Sequence, residues 1–184
     1  MKKDNKMGTY EQIIHVTKYA RYLEDKKRRE TWEETVTRYM DYMSSKVDIK
    51  ETYKELHGAL LRQEIVPSMR LLMTAGEACE RDNIAAFNCA YTSISSKRVF
   101  SEILYILMNG TGIGFSNERK KIDLLPPIPK GLSSSDDTIV VADSKKGWAV
   151  AFRKLMSSLW EGDIPNVDYS KIRPAGTRLK TFGG

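Results

Sequence analysis

The first third of the chain places apolar residues at helical spacing. A helix is predicted to begin after Thr31, because Glu34 stands three positions later, the spacing of a capping box. Its apolar face would hold Trp32, Val36, Tyr39, Met40 and Met43. An earlier helix is predicted over residues 10–22, and a third carries a similar stripe made of Tyr53, Leu56, Leu60 and Leu61. We expect residues 1–66 to form a helical region whose stripes pack against one another, an interpretation favoured over a cofactor role.

Pro67 marks a change of pattern, after which short apolar runs alternate with helices. Residues 70–74 and 83–92 predict strands, and the apolar and small residues at 84–87 predict a buried strand segment. This alternation is typical of an α/β domain, which we assign to residues 67–184.

A helix is predicted to follow the second of these strands. Ser95 or Ser96 would cap its start, and Asn109-Gly110 has the composition of a helix end. The apolar residues that would face inward are Val99, Phe100, Ile103, Leu104, Ile106 and Leu107.

The segment at residues 120–137 is rich in proline, serine and charge, which predicts a surface excursion or mobile loop. Residues 139–142 would add a strand or a sheet edge. The next helix is predicted to begin at Asp143 or Ser144 and to stop at Gly162. Its apolar stripe would be Trp148, Phe152, Leu155 and Leu159.

Composition is that of an ordinary globular chain, with 41% hydrophobic and 29% charged residues among 184. No apolar run approaches the ~20 residues that would span a bilayer, and the start of the chain lacks the apolar stretch of a signal peptide. We therefore expect a cytoplasmic location and no membrane partner. Cys79 and Cys89 are too few for a disulfide scaffold and should be thiols in a reducing compartment, unless one takes part in turnover.

The net charge of +6 suits an anionic partner, either a nucleotide or a nucleic acid. The one dense basic cluster is residues 26–29, and Glu30, Glu33 and Glu34 follow it at once. Charge runs of this kind usually mark a solvated face, so this interpretation is favoured over a phosphate-binding patch. No nucleic-acid partner is expected.

Cys89 is a candidate for redox chemistry. Strand alternation would place it on one face together with Phe87 and Tyr91. A lone thiol is more often a small buried hydrophobe, and spacing alone favours that role. Cys79, between Ala78 and Glu80, is a weaker candidate still.

Three alternating glycines, Gly110, Gly112 and Gly114, form a predicted loop with Thr111, and Phe115 follows it. They come after a helix, and this order argues against a dinucleotide-binding turn. A helix end with a tight turn would need one or two of them. The third favours close approach of the backbone to a ligand.

Other chemistry is weakly represented. His15 and His57 stand alone in separate predicted helices, and no metal-ligand spacing is visible. Asp136, Asp137 and Asp143 could accept a hydrogen bond from a ribose or cap a helix, and capping is favoured for Asp143.

An ordered series of segments resembles the amino-terminal part of adenosylcobalamin-dependent (class II) ribonucleoside-triphosphate reductases. The resemblance begins near residue 15 and covers nearly all of the remaining chain. It is carried by KYARYL (18–23), ETWEETVTR (30–38), NC (88–89), GTGIGFS (110–116), DSKKGW (143–148), DYSKIRP (168–174) and FGG (182–184).

The resemblance implies an α/β fold in which a helical region precedes the first, incomplete portion of a ten-stranded reductase barrel. Cys89 would be one member of a redox cysteine pair on the first barrel strand, with its partner outside this chain. Its disulfide would be reduced by a thioredoxin-type protein. The substrate-side residues would be Asn88, Gly110, Thr111, Gly112, Gly114 and Phe115, with Gly183 and Gly184 beginning a turn that receives the phosphates on backbone N–H groups.

Further expectations follow from the same family. The substrate would be a ribonucleoside triphosphate, and a deoxynucleotide effector would contact Ser95, Ser96, Lys97 and Asp143 or the 120–137 segment. The family's radical-carrying cysteine, its second redox cysteine and most of its adenosylcobalamin surface lie outside this chain. We therefore expect one piece of a split or interrupted reductase, inactive without a complementary C-terminal fragment.

Three alternatives stay open. The radical source could be a separate subunit instead of adenosylcobalamin, because both classes share the barrel. The chain could be a freestanding basic module that binds nucleotides or nucleic acid, or an inactive remnant.

Overall fold

The structure is a computed structural model that describes residues 7–177, and the chain divides into two compact units, Met1–Phe87 and Asn88–Gly184. This division lies further along the chain than the predicted boundary after residue 66. The assignment of residues 67–184 to a single barrel domain stays a prediction.

The first unit is mainly helical. Its elements are α1 (Thr9–Ile14), which continues as a π-helical turn (His15–Tyr19), the antiparallel pair β1 (Tyr22–Leu23) and β2 (Arg28–Arg29), α2 (Trp32–Lys46), α3 (Tyr53–Leu61), α4 (Met69–Thr74), α5 (Glu77–Arg81) and a 3₁₀ turn (Asn83–Ala86).

Helix α2 begins as its sequence predicts. The Thr31 hydroxyl accepts a hydrogen bond from the Glu34 N–H at 3.2 Å, and the Glu34 carboxylate accepts one from the Thr31 N–H at 2.8 Å. Two orphan N–H groups of the first turn are thereby satisfied. The predicted stripes of α2 and α3 meet in a core whose buried members are Val36, Met40 and Leu60, confirming the packing expected of this region.

A buried ion pair ties α2 to the end of α4. Glu30 is 5% exposed and receives both the Nε and a terminal nitrogen of Arg38, at 2.7 and 2.9 Å. Arg38 also donates to the carbonyl oxygens of Leu72 and Ala75, at 3.1 and 2.9 Å. These bonds satisfy carbonyls that a short helix leaves unpaired at its C-terminus.

Three predictions for this unit are wrong in detail. The helix expected over residues 10–22 is α-helical only to Ile14 and π-helical to Tyr19, and Tyr22 belongs to a short strand. Residues 70–74 form most of helix α4 instead of a strand, because a short apolar run fits either structure. Residues 84–87 are not a buried strand: a 3₁₀ turn ends at Ala86 and leaves Phe87 exposed.

The second unit alternates strands and helices. Its elements are β3 (Cys89–Ser93), α6 (Arg98–Met108), β4 (Gly112–Ser116), α7 (Arg119–Ile122), β5 (Ser133–Val140), α8 (Lys145–Glu161) and β6 (Asp163–Asp168). Strands β3 and β4 pair in parallel, as do β5 and β6. Each pair has a helix in its connection, the βαβ arrangement that parallel strands require.

Helix α8 is fixed at both ends by its sequence. The Ser144 hydroxyl accepts from the Gly147 N–H at 2.9 Å, and Gly162 ends the helix at a φ of 96°, where a side chain would be strained. Ala151 and the half-buried Leu155 pack against Ile139 and Val141. The prediction of this helix and its stop is confirmed.

The structure corrects the loop predictions for this unit. The glycine-rich stretch is strand β4 from Gly112 onwards, and only Gly110 has the positive φ of a helix end, 77°. Part of the predicted 120–137 excursion is ordered as α7 and the start of β5. Long glycine-poor strands are easier to detect than a short strand in which glycines alternate.

Among residues 7–177, no helix is long and apolar enough to cross a membrane.

Candidate functional site

The candidate site lies on the parallel pair β3 and β4. Cys89 is in register with Gly112, and Tyr91 is in register with Gly114. Helix α6 connects the two strands and contacts both of them. Because partners in register project to the same side of a sheet, the thiol, the tyrosine ring and the two glycines share one face.

This shared face is open to solvent. Cys89 and Tyr91 are exposed, whereas the intervening Ala90 is half-buried, so the strand alternates as one with a single packed side. Cys89 is a free thiol. An exposed thiol on a regular strand has access to a reacting partner, which a buried thiol lacks.

Neither strand glycine is demanded by backbone conformation. Gly112 and Gly114 are absent from the positive-φ residues, which include Gly110. A Cβ built on Gly112 would lie 3.6 Å from the Asn88 carbonyl oxygen, and one on Gly114 would lie 3.7 Å from a Tyr91 ring carbon. Both distances are ordinary contacts, so a methyl group would fit at either position within the described residues, and the two glycines leave a strip of bare backbone beside the thiol.

Hydrogen bonds hold the backbone at the start of this strip. The Gly112 N–H donates to the Asn88 carbonyl at 2.9 Å, immediately before Cys89. Asn109 ends α6 and receives the Lys145 ammonium on its side-chain oxygen at 2.6 Å. Thr111, between them, is 1% exposed, so the whole residue lies inside the unit, and the prediction that it contacts substrate has no exposed surface behind it.

Phe115 lies on the opposite face. It is in register with Thr92 instead of with Cys89 or Tyr91, although its ring is exposed. The predicted grouping of Phe87 with Cys89 and Tyr91 also fails, because β3 begins at Cys89 and Phe87 closes the preceding 3₁₀ turn. Gly183 and Gly184 lie outside the described residues.

The predicted effector residues are placed on two separate segments. Ser95, Ser96 and Lys97 connect β3 to α6. Neither serine caps α6, because Lys97 is the N-cap residue and makes no side-chain capping bond.

The cap predicted for Asp143 is wrong as well. Ser144 caps α8, and both Asp143 carboxylate oxygens accept from the Nε of Arg173, at 2.9 and 2.8 Å. Asp143 and Arg173 are 30 residues apart, so their opposite charges alone do not predict that they pair.

The remaining candidates have structural partners. Cys79 is buried, and its thiol donates to the Thr74 hydroxyl at 3.2 Å. His15 is buried against the Thr35 hydroxyl at 2.9 Å, and His57 contacts Thr37 at 3.1 Å. Within the described part of the chain, no three His, Cys, Asp or Glu residues form a group that could hold a metal ion.

The basic cluster is largely occupied by local partners. Lys26 and Arg28 both pair with Glu34, each with a contact of 2.7 Å, and Arg29 donates to the Ala20 carbonyl at 2.8 Å. The hydrogen bonds from Arg28, Lys26 and the Thr31 N–H hold the pKa of Glu34 well below its usual range. This supports the solvated-face interpretation of the cluster over a phosphate patch.

Known proteins resemble the chain along nearly its whole length. An adenosylcobalamin-dependent ribonucleoside-triphosphate reductase of Euglena gracilis is 27% identical over 203 residues, covering 94% of this chain and 27% of the relative. The enzyme of the same name from Lactobacillus leichmannii is 23% identical over 241 residues, covering 94% and 33%. No family model matches the sequence.

A solved structure gives the same result for the fold. The crystal structure of a B-12 dependent (class II) ribonucleotide reductase superposes with a TM-score of 0.77 at 21% identity, over 94% of this chain and 34% of that one. The chain is a homologue of adenosylcobalamin-dependent ribonucleoside-triphosphate reductases. The resemblance inferred from its ordered segments is confirmed, and so is the fold class, an α/β structure matching part of the class II reductase.

The chain spans only part of the length of the relatives it matches. It covers 27–33% of the lengths of the two reductases named above. The comparisons therefore show the fold and the similarity to these reductases, and they assign no role to an individual residue.

Proposed function

We propose that this chain contributes to a ribonucleoside-triphosphate reductase and that Cys89 is one of its two reducing thiols. The observation that carries the proposal is the β3–β4 face, where an exposed free thiol stands in register with a bare glycine. A sugar ring could approach the Cys89 sulfur over Gly112 without meeting a side chain. The names of the homologues supply the reaction class.

The proposed step is a two-electron reduction of the ribose. The ribonucleotide loses its 2′-hydroxyl as water and gains a C–H bond, which requires two electrons and two protons. Cys89 and a second cysteine, outside this chain, supply them as two thiols and become one disulfide. A thioredoxin-type dithiol then reduces that disulfide by thiolate attack through a mixed disulfide, and is itself oxidised.

The cofactor is assigned to the rest of the reductase. The family resemblance supports this assignment, because the chain spans about a third of the relatives' length. Adenosylcobalamin, when bound, would supply the radical chemistry.

The remaining roles follow from the family relation. The exposed β3–β4 face would receive the ribose, and the Gly183-Gly184 turn would take the phosphates. Ser95, Ser96, Lys97 and Asp143 are proposed effector contacts. Activity would require a complementary reductase fragment, in a cytoplasmic, reducing compartment.

The test compares two cysteine variants in the complete reductase. The chain alone should form no deoxynucleotide, and adding the complementary fragment, adenosylcobalamin, a ribonucleoside triphosphate and thioredoxin should give activity. Cys89→Ser should reduce thioredoxin-dependent turnover to background. Cys79→Ser should retain most of it, because Cys79 is buried and bonded to Thr74. Full multiple-turnover activity in Cys89→Ser would contradict the role proposed for Cys89.

A further inference from the structure

A large aromatic ring stands beside the thiol on the open face. Tyr91 is 69% exposed, although it belongs to a regular strand of a parallel pair. It is two residues from Cys89, so their Cα atoms are about 6.7 Å apart along the strand. Parallel strands are usually covered on both faces, so in the complete reductase the Tyr91 face is covered by the rest of the protein or lines a site that a ligand enters.

The Tyr91 ring lies beside Gly114. A ring carbon of Tyr91 would be 3.7 Å from a Cβ built on Gly114, so the ring leans over backbone that carries no side chain. Gly112 continues the bare strip to the position beside Cys89. The Cys89 thiol and the Tyr91 ring therefore follow each other along β3, and each lies beside a glycine of β4.

We propose that Tyr91 is the platform on which the nucleobase of the substrate stacks while its ribose lies at Cys89. The proposal rests on the proposed function of Cys89 and adds a substrate-positioning residue to the same face. A nucleoside placed along β3 meets the thiol with its sugar and the ring with its base. No charged side chain belongs to this part of β3 or β4, so the contact suits a flat heterocycle better than a phosphate.

The same geometry predicts how far Tyr91 would distinguish one nucleobase from another. Every base has a π-face, so stacking on one ring holds all four bases without reading their hydrogen-bonding edges. Tyr91 would therefore contribute affinity for any nucleoside and little preference among them. Preference would have to come from other residues.

The experiment measures equilibrium binding in the complete reductase carrying Cys89→Ser, so that no turnover interferes. Each Tyr91 variant is titrated with a ribonucleoside triphosphate and with ribose 5-triphosphate, which has the same sugar and phosphates but no base. Tyr91→Ala should weaken nucleoside triphosphate binding about five- to 150-fold, the range of base–aromatic stacking. Binding of ribose 5-triphosphate should change less than about twofold.

Two further variants control for bulk and for surface mutation. Tyr91→Phe keeps the ring and should bind like the parent, whereas Tyr91→Leu keeps apolar bulk without a π-face and should be weakened. Tyr10→Ala removes another exposed tyrosine, in α1, and should have no effect.

Three outcomes overturn the proposal. They are unchanged nucleotide binding in Tyr91→Ala, equal weakening for both ligands, and equal weakening in Tyr91→Phe and Tyr91→Ala. Failure of the Cys89 role is detected separately, as thioredoxin-dependent activity surviving in the Cys89→Ser enzyme. If Cys89→Ser is inactive but Tyr91→Ala binds normally, the platform alone is wrong.

Discussion

Individual residues determine which groups the β3–β4 face presents to a ligand. Gly112 and Gly114 have space for a methyl group and need no special backbone conformation, so the fold tolerates larger residues at both positions. Their absence of side chains is best explained by what must approach Cys89 and Tyr91. A glycine that folding does not require is informative about ligands in a way that Gly110, which ends a helix, is not.

A second group of residues controls stability in the first unit. Glu30 accepts from Arg38 and from the Thr35 hydroxyl, which in turn contacts His15. Burial lowers the pKa of His15 below its ordinary 6.5, with Glu30 opposing this and Arg38 adding to it. Burial alone would raise the pKa of Glu30, but the hydrogen bonds and charge of Arg38, with the Arg21 N–H and Thr35 donors, lower it from 4.5.

Both shifts predict loss of stability in acid. The unfolded state protonates His15 near pH 6.5, before the folded state does, so the free energy of unfolding should begin to fall there. The contribution of Glu30 is present above pH 4.5 and should be lost as the pH falls further. Urea unfolding at a series of pH values measures this profile.

Two variants separate the contributions of His15 and Glu30. His15→Gln should flatten the profile just below pH 6.5 and leave the lower part unchanged. Glu30→Gln should cost about 3–5 kcal/mol at neutral pH, because it leaves Arg38 buried without its carboxylate. A parent protein equally stable at pH 7 and pH 5 would contradict the His15 assignment.

At the scale of elements, the turn from β5 into α8 depends on one close approach. A Cβ on Gly147 would overlap the carbonyl oxygen of Ala142 and lie 2.8 Å from its carbonyl carbon. Because these are backbone atoms of Ala142, they cannot move away by a change of rotamer as a flexible side chain can. Gly147 also donates its N–H to the Ser144 hydroxyl, so the cap and the close approach are coupled.

Gly147→Ala should therefore destabilise the protein by about 1–3 kcal/mol or more, the range for overpacking. Gly131→Ala is the matched control, because a Cβ there meets nothing within 4 Å. It should be neutral or stabilising by up to about 1 kcal/mol. Urea unfolding of the three proteins compares them, and equal midpoints for Gly147→Ala and the parent would contradict the account.

The elements differ in how far their sequences predict them. The start of helix α2 is predictable from Thr31 and Glu34, which form its capping box. The two ends of α8 are predictable from Ser144, its N-cap, and Gly162, its C-cap. Strand β4 is not, because its glycines disfavour a strand and only pairing with β3 makes it one.

The candidate site was predictable to the same extent. Cys89 and the glycines could be selected from the sequence, whereas the register that puts Cys89 beside Gly112 is a long-range pairing that spacing does not encode. Nor does spacing predict that Tyr91 is exposed and Thr111 buried.

At the scale of the whole molecule, the chain corresponds to about a third of the solved class II reductase that it resembles. The two units have different roles in this account. The helical unit holds the buried Glu30–Arg38 ion pair that the stability predictions concern, and the α/β unit holds the β3–β4 face. Reductase activity is proposed for the complete protein, in which this chain supplies one of the two thiols that each turnover consumes.

The most direct test of the central claim is the redox state of Cys89 after one turnover. The complete reductase is reduced, freed of external reductant and mixed with substrate and adenosylcobalamin, and its thiols are then alkylated and mapped by mass spectrometry. The account predicts that Cys89 is lost as a free thiol in proportion to the deoxynucleotide formed and is recovered in a disulfide with a cysteine outside this chain, while Cys79 stays unoxidised. Stoichiometric product with Cys89 still fully alkylated would contradict it.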